Sequence, residues 1–351
     1  MSVATVQEAV ENGILASVPA DYIILEQDRA RGNHGDDSSS TELPVIDLAG
    51  VKDDGKRRRA VVESIRQACL DWGFFQLVNH GVPVSLMKRM QQVAWEFFDL
   101  PLEEKQRYSV KTESQSLGTQ GYGSKFKSKE GAASNWGDQL RHRTLPVSIR
   151  QYELWPTNPP AYRETEEEYV EELDRLTRLL FELLSEGLGL HPMYLSDFFH
   201  ERDQQQMVVN YYPPCPQPEL TMGIQKHSDF GLVTVLWQDS TSGLQISKDG
   251  NWIPVKPIQD AFVINIGDQM EILTNGKYQS VEHRGLVNRL KPRMSIANFT
   301  SPLDNVLIAP IPDLVGEFQI PRYNETTFGT YRSSFFDKGC AGKEHLKAIK
   351  L

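Results

Sequence analysis

A chain of 351 residues has material for one large or two average domains, and its 39% hydrophobic and 24% charged residues are the proportions of a globular protein. The apolar runs fall far short of the roughly 20 residues a membrane-spanning helix needs, and a net charge of -10 provides no basic field for nucleic acid or an anionic membrane. Three scattered cysteines, Cys69, Cys215 and Cys340, argue against a disulfide framework and a cysteine zinc site, and point to a reducing, cytoplasmic setting.

In chain order, the N-terminus has too little continuous apolar sequence for a signal peptide, and its acidic residues disfavour a transit peptide. The polar, Gly/Ser-rich run RGNHGDDSSSTE reads as a mobile connection, so residues 1–42 are taken as an N-terminal helix and linker. A second region, 43–155, opens with a short strand at Val45 to Leu48. KRRR at 56–59 then reads as a solvated helix start, and Val61, Ile65, Ala68, Cys69 and Trp72 recur at helical spacing. GFFQLVNHGVP has the pattern of a buried strand closed by a turn, and Leu86, Met90, Val93, Phe97 and Phe98 mark another helix. From 105 to 160 the periodicity fades into what reads as a long loop packed over something.

The third region, 156–351, begins with a helix from about Thr165 to Leu188, striped by Tyr169, Leu173, Leu176, Leu180, Leu183 and Leu184. After Gln206 the period switches to two: MVVNYY, LVTVLW, LQIS, WIPV, AFVINIG and MSIANFT are short strands separated by turns such as KDGN and TNGK. Strands this short at this spacing suggest a mainly β fold with flanking helices, either a double-sheet jelly roll or a barrel. No exposed heptad or apolar stripe forces an interface between copies.

IQKHSDFG places His227 and Asp229 two apart, so on an extended chain they share a face. His283, in QSVEHRGLV, is the best third ligand among eight histidines; His34, His345, His142, His200, His80 and His191 lie in linker, tail, polar or turn surroundings. Two imidazoles and one carboxylate form the facial triad of non-haem Fe(II), whereas structural zinc fills all four positions. Ten residues after His283, Arg293 and Ser295 again share a strand face, and a buried arginine there suits a carboxylate. Singly, each feature has a bland explanation; their combination and order are rarely met by chance.

LPVIDL, ACLDWGFFQLVNHGVP, NYYPPCPQPELTMGIQKHSDFG, VEHRGLVN and RMSIANF resemble the plant-type 2-oxoglutarate and Fe(II)-dependent dioxygenases, the group that includes anthocyanidin synthase and flavone synthase I. The similarity covers nearly the whole chain and implies a mainly β fold with flanking helices around a double-stranded β-helix (jelly roll) core, the regions forming one compact catalytic unit that is a monomer. It implies Fe(II) on His227, Asp229 and His283, with 2-oxoglutarate and O2 as co-substrates and ascorbate as a supporting reductant. It further implies that Arg293 and Ser295 hold the distal carboxylate of 2-oxoglutarate, with Tyr212 near that end and Asn210 beside the chelating end. The reaction implied is oxidative decarboxylation of 2-oxoglutarate to succinate and carbon dioxide, coupled to hydrogen abstraction from a small-molecule substrate.

Phe299, further along the strand from Ser295, resembles an aromatic residue that stacks on flavonoids, although phenylalanine is equally a core choice there. Phe126, Trp136 and Asp138 fall where the family lines its substrate pocket. Gln225 is expected at the pocket's edge, and Lys226 should point away from the iron. A flavonoid-like substrate is the first expectation. Oxidation of a hormone-like or diterpenoid carboxylate is the alternative, and would require a further cation in the pocket, for which Arg141 and Lys125 are candidates. A catalytically silent binding protein on the same scaffold is the reading from another class.

Overall fold

The computed structural model describes residues 5–13, 16–29, 42–109, 120–124, 133–316, 320–337 and 343–351. The expected mobile connection, Phe126, Lys125 and Cys340 therefore lie outside the described residues, apart from Glu42. Twelve strands build the two sheets around the site: β1 (Val45–Asp47), β2 (Phe74–Val78), β3 (Gly121–Ser124), β4 (Asp138–Leu145), β5 (Asp203–Tyr212), β6 (Ile224–His227), β7 (Val233–Gln238), β8 (Leu244–Lys248), β9 (Asn251–Pro254), β10 (Phe262–Ile266), β11 (His283–Gly285) and β12 (Arg293–Pro302). The major sheet runs β1-β2-β10-β7-β12-β5-β4-β3 and the minor sheet β6-β11-β8-β9. Together they form the double-stranded β-helix core, with helices outside.

Strand alternation gives the major sheet two different faces. On β5 and β12, Met207, Val209, Tyr211, Met294 and Ile296 join the main hydrophobic core, together with Leu173, Leu176 and Leu180 of the helix Tyr162–Gly187. Burying each such side chain stabilises the fold by about 1.5–3 kcal/mol. The opposite set, including Asn210, Tyr212, Arg293, Ser295 and Phe299, lines a cavity between the sheets. Lysines and arginines at the start of the helix Gly55–Asp71 lie behind an Asp54 N-cap that accepts from Lys56 N at 2.8 Å, which suits a solvated helix start.

The stretch 105–160 is not one long loop. It contains β3 and β4, the latter paired with β5 over most of its length. The sequence DQLRHRTL conceals this strand because both faces carry polar groups. Gln139, Arg141 and Arg143 face the cavity, while on the other face Asp138 and His142 are buried against polar partners.

Candidate active site

β6 and β11 are antiparallel neighbours in which His227 and His283 are directly paired, so both rings project from adjacent strands on one face. Their ring centroids are 4.2 Å apart. Asp229 follows β6 in the turn toward β7. Its Oδ1 lies 3.6 Å from His227 Nε2 and 3.7 Å from His283 Nε2. The other carboxylate oxygen is anchored: Oδ2 accepts from Thr234 Oγ1 at 2.6 Å and from Asn265 Nδ2 at 2.7 Å. Burial pushes the Asp229 carboxyl up, but His283, His227 and these two hydrogen bonds outweigh it and hold the group below its ordinary value.

The histidines are aimed the same way. His227 Nδ1 lies 2.8 Å from Gln225 O and His283 Nδ1 lies 3.2 Å from Val281 O. A carbonyl only accepts, so each Nδ1 carries a proton and each ring turns its Nε2 toward Asp229. Two imidazole nitrogens and one carboxylate oxygen thus converge within 4.8 Å of one another. Among the described residues this group has three members, which suits a cation with open positions rather than a closed four-ligand zinc site.

Further into the cavity, Arg293 pairs across the sheet with Tyr212 and Ser295 with Asn210. Arg293 is 2% exposed, and its guanidinium lies 5.0 Å from the Tyr212 ring centre. Its Nε donates to Thr241 O and its Nη2 to Gln238 Oε1, both at 3.2 Å, and no carboxylate pairs with it among the described residues. Gln238 Nε2 is buried beside it without a described partner. A buried cation next to an orphaned donor fits an incoming carboxylate. Glycine makes the space: a Cβ at Gly243 would stand 2.9 Å from Arg293 Cδ and Nε, and one at Gly223 would stand 2.6 Å from the Tyr212 ring.

Comparison with known proteins matches residues 203–302 to the 2OG-Fe(II) oxygenase superfamily and residues 43–158 to the non-haem dioxygenase in morphine synthesis N-terminal family. The chain is 36% identical over 351 residues to Protein SRG1 of Arabidopsis thaliana, covering 99% of this chain and 96% of that protein.

The chain belongs to the 2OG-Fe(II) oxygenase superfamily.

This oxygenase is also 38% identical to a flavonol synthase/flavanone 3-hydroxylase of Eustoma exaltatum subsp. russellianum, over 94% of this chain and 97% of that one. It superimposes on the crystal structure of JOX2 in complex with 2OG, Fe, and JA with a TM-score of 0.88 and 38% identity, covering 100% of this chain and 98% of that one. The oxygenase is therefore an enzyme whose family uses Fe(II), 2-oxoglutarate and O2. The silent binding-protein reading falls with that finding. No described helix is long and apolar enough to cross a membrane.

The substrate region of the oxygenase differs from the sequence expectation at two residues. Trp136 is fully buried in a separate cluster with Val6, Val18 and Tyr212, its Nε1 donating to Pro213 O at 3.2 Å. Asp138 lies on the outer face of β4, where it accepts from Val6 N, Gln7 N and Ser124 Oγ and ties down the N-terminal segment. Neither lines the cavity, because strand alternation turns the next residue, Gln139, inward instead. Gln139 Nε2 donates to Asn210 Oδ1 at 2.5 Å. Phe299 does line the cavity. Lys226 points away from it, 3.0 Å from Asp28 Oδ1, while Gln225 donates to Ala133 O and Asn135 Oδ1 near the rim.

Thr234, Asn265, Arg143 and Arg332 escaped the sequence reading, yet all face the cavity. Asn265 had left a signal, a lone amide in the wholly buried run Phe262–Ile266. The helix Phe328–Asp337 closes one end of the cavity with Phe328, Arg332, Phe335 and Phe336. Its Tyr331 donates to Asp268 Oδ2 at 2.9 Å, and His345 Nε2 lies 2.8 Å from the same oxygen. His142, read as merely polar in its surroundings, is fully buried against Glu166 at 2.8 Å and stacked on Trp155.

Proposed function

We propose that this oxygenase hydroxylates or desaturates a small specialised metabolite with a flat, largely apolar body, a flavonoid-like molecule being the first candidate. In this reading His227, Asp229 and His283 hold Fe(II), and Arg293 and Ser295 receive the distal carboxylate of 2-oxoglutarate. Tyr212, opposite Arg293, and Asn210, opposite Ser295, steady the co-substrate. The observation that carries it is the meeting, in one cavity, of the His227–Asp229–His283 cluster and a buried arginine, Arg293, that forms no ion pair with a carboxylate among the described residues.

When bound, the iron supplies oxygen activation coupled to decarboxylation of 2-oxoglutarate. The chain's residues perform the placement. Thr234 and Asn265 fix the Asp229 carboxylate, and the carbonyls of Gln225 and Val281 fix the imidazole tautomers. Arg293 orients the diacid, while Phe230, Phe299 and Phe335 keep the reacting region dry and stack on the substrate body. The flavonol synthase/flavanone 3-hydroxylase relative supports the flavonoid-like substrate. A second reading, a hormone-like or diterpenoid carboxylate, is favoured by Arg141 on the cavity wall and by JA in the JOX2 complex.

The test is oxygen-dependent conversion of 2-oxoglutarate to succinate, followed with and without a panel of flavonoids and small carboxylic acids, in wild type and Asp229→Ala. Stimulation by a flavonoid, with matching oxidised product and none in the variant, is the expected result. If only acids stimulate wild type, the flavonoid-like assignment is wrong; if nothing in a loaded, folded protein does, the substrate class is neither.

A further inference from the structure

Three cavity-lining residues form one polar row across neighbouring strands of the major sheet. Gln139 of β4 stands opposite Asn210 of β5, and Asn210 stands opposite Ser295 of β12. On its other side Ser295 is paired with Gln238 of β7. All four side chains are buried.

An amide side chain can be turned either way, and only its partners decide which end is oxygen. Here the row is oriented from one end. The Arg141 guanidinium has donors only; its Nε donates to Gln139 Oε1 at 2.7 Å and its Nη2 donates to the same oxygen. The Gln139 carbonyl therefore faces Arg141, and Gln139 Nε2 donates to Asn210 Oδ1 at 2.5 Å. That commits the next amide, so Asn210 Nδ2 is directed at Ser295 Oγ, 3.4 Å away. An N–H aimed at this oxygen keeps the hydroxyl proton off that side and leaves Ser295 a donor toward its other neighbours. At the far end Arg293 donates to Gln238 Oε1, and Gln238 Nε2 is a further buried donor. A carboxylate beside Arg293, which can only accept, then meets donors rather than lone pairs.

Reversing Asn210 would undo this. With Oδ1 turned to Ser295, the hydroxyl would give its proton to Asn210 and present a lone pair to the anion. An isolated asparagine and serine are satisfied either way round, because each can donate and accept. The restraint comes from Gln139, two strands away from Ser295.

Resting on the oxygenase reading above, we propose that Gln139 is a positioning residue for 2-oxoglutarate: held by Arg141, it fixes the orientation of the Asn210 amide and so keeps Ser295 a hydrogen-bond donor to the co-substrate carboxylate. Gln139 acts through Asn210 and Ser295. The role is the same whichever prime substrate is oxidised.

Gln139→Glu tests this at nearly constant shape. The new carboxylate still receives Arg141, but it has no N–H for Asn210 and accepts from Asn210 Nδ2 instead, which turns Asn210 Oδ1 to Ser295. Gln139→Met releases Asn210 without forcing it round. Full-length wild type, both variants, Ser295→Ala and the double variant Gln139→Glu/Ser295→Ala are loaded with Fe(II) under nitrogen and titrated with 2-oxoglutarate. Half-saturation is read from the visible charge-transfer band, and calorimetric Fe(II) affinity certifies each fold. The half-saturating concentration is expected to rise about tenfold in Gln139→Glu, as for loss of a charge-assisted hydrogen bond, and less in Gln139→Met, both at wild-type Fe(II) affinity. In the Ser295→Ala background Gln139→Glu adds no further loss, because the donor it would turn away is gone. A general effect of charge or packing at position 139 would instead weaken binding equally in both backgrounds. That result, or unchanged half-saturation in both single variants at position 139, overturns the proposal and leaves the oxygenase reading standing. Absence of the band in folded wild type overturns both.

Discussion

His227 and His283 stand opposite each other on β6 and β11, and Asp229 Oδ1 faces both Nε2 atoms at nearly equal distances, 3.6 and 3.7 Å. A cross-strand pair holds two ligands at a fixed separation without relying on a loop. The third depends on anchoring, because Asp229 lies beyond the end of β6.

That anchoring predicts the effect of Asn265→Ala. Removing the donor 2.7 Å from Asp229 Oδ2 frees the carboxylate to rotate, and loss of such a supporting bond typically lowers metal affinity by about 10- to 100-fold. Calorimetric Fe(II) titration under nitrogen measures it. Affinity equal to wild type in a folded variant would mean that Thr234 alone positions the carboxylate.

Gly243→Ala tests the co-substrate end without touching a charged residue. The new Cβ would stand 2.9 Å from Arg293 Cδ and Nε and 3.0 Å from Leu286 O, so the guanidinium must shift. The concentration of 2-oxoglutarate needed for half-saturation is expected to rise on the order of tenfold, while Fe(II) affinity stays at the wild-type value. Equal loss of both would point to general unfolding of the sheet.

Asp138→Ala separates the two expectations for that residue. Its carboxylate accepts from Val6 N and Gln7 N, so removal leaves two backbone donors and costs about 1–3 kcal/mol. Thermal unfolding should begin earlier and hydrogen exchange should rise in residues 5–13, with substrate KM little altered. A change in KM at unaltered stability would return Asp138 to the pocket.

Much of the site was legible because each ligand sits in a strand or next to one, where period two predicts facing. His227, Asp229, His283, Arg293, Ser295, Tyr212 and Asn210 all line one cavity, with the strand residues on the faces that alternation predicts. β4 failed for a physical reason: its polar outer face is satisfied by distant partners, with His142 meeting Glu166 and Asp138 meeting the N-terminal backbone. Composition therefore mimics a loop, and a one-residue error in facing selects Asp138 instead of Gln139. His345 was hidden similarly, since its partner Asp268 lies 77 residues away.

The closing helix supplies a further prediction. Tyr331 and His345 both engage Asp268, whose backbone N donates to Asp229 O at 2.8 Å, which links the cavity's aromatic wall to the ligand turn. Tyr331→Phe removes one of these bonds, worth about 1 kcal/mol. Hydrogen exchange should increase across 328–337 and KM for the prime substrate should rise several-fold, with 2-oxoglutarate binding unaltered. An unchanged exchange pattern would show that Phe328 and Phe335 packing holds the helix by itself.

The most direct test of the account is anaerobic addition of Fe(II) and then 2-oxoglutarate to wild-type protein, His227→Ala and Arg293→Ala, recording the weak visible charge-transfer band. The account predicts a band in wild type, none in His227→Ala, and one in Arg293→Ala that appears only at much higher 2-oxoglutarate. A folded wild-type protein without the band, or a His227→Ala variant that keeps it, would contradict the assignment of His227, Asp229 and His283 as the iron site.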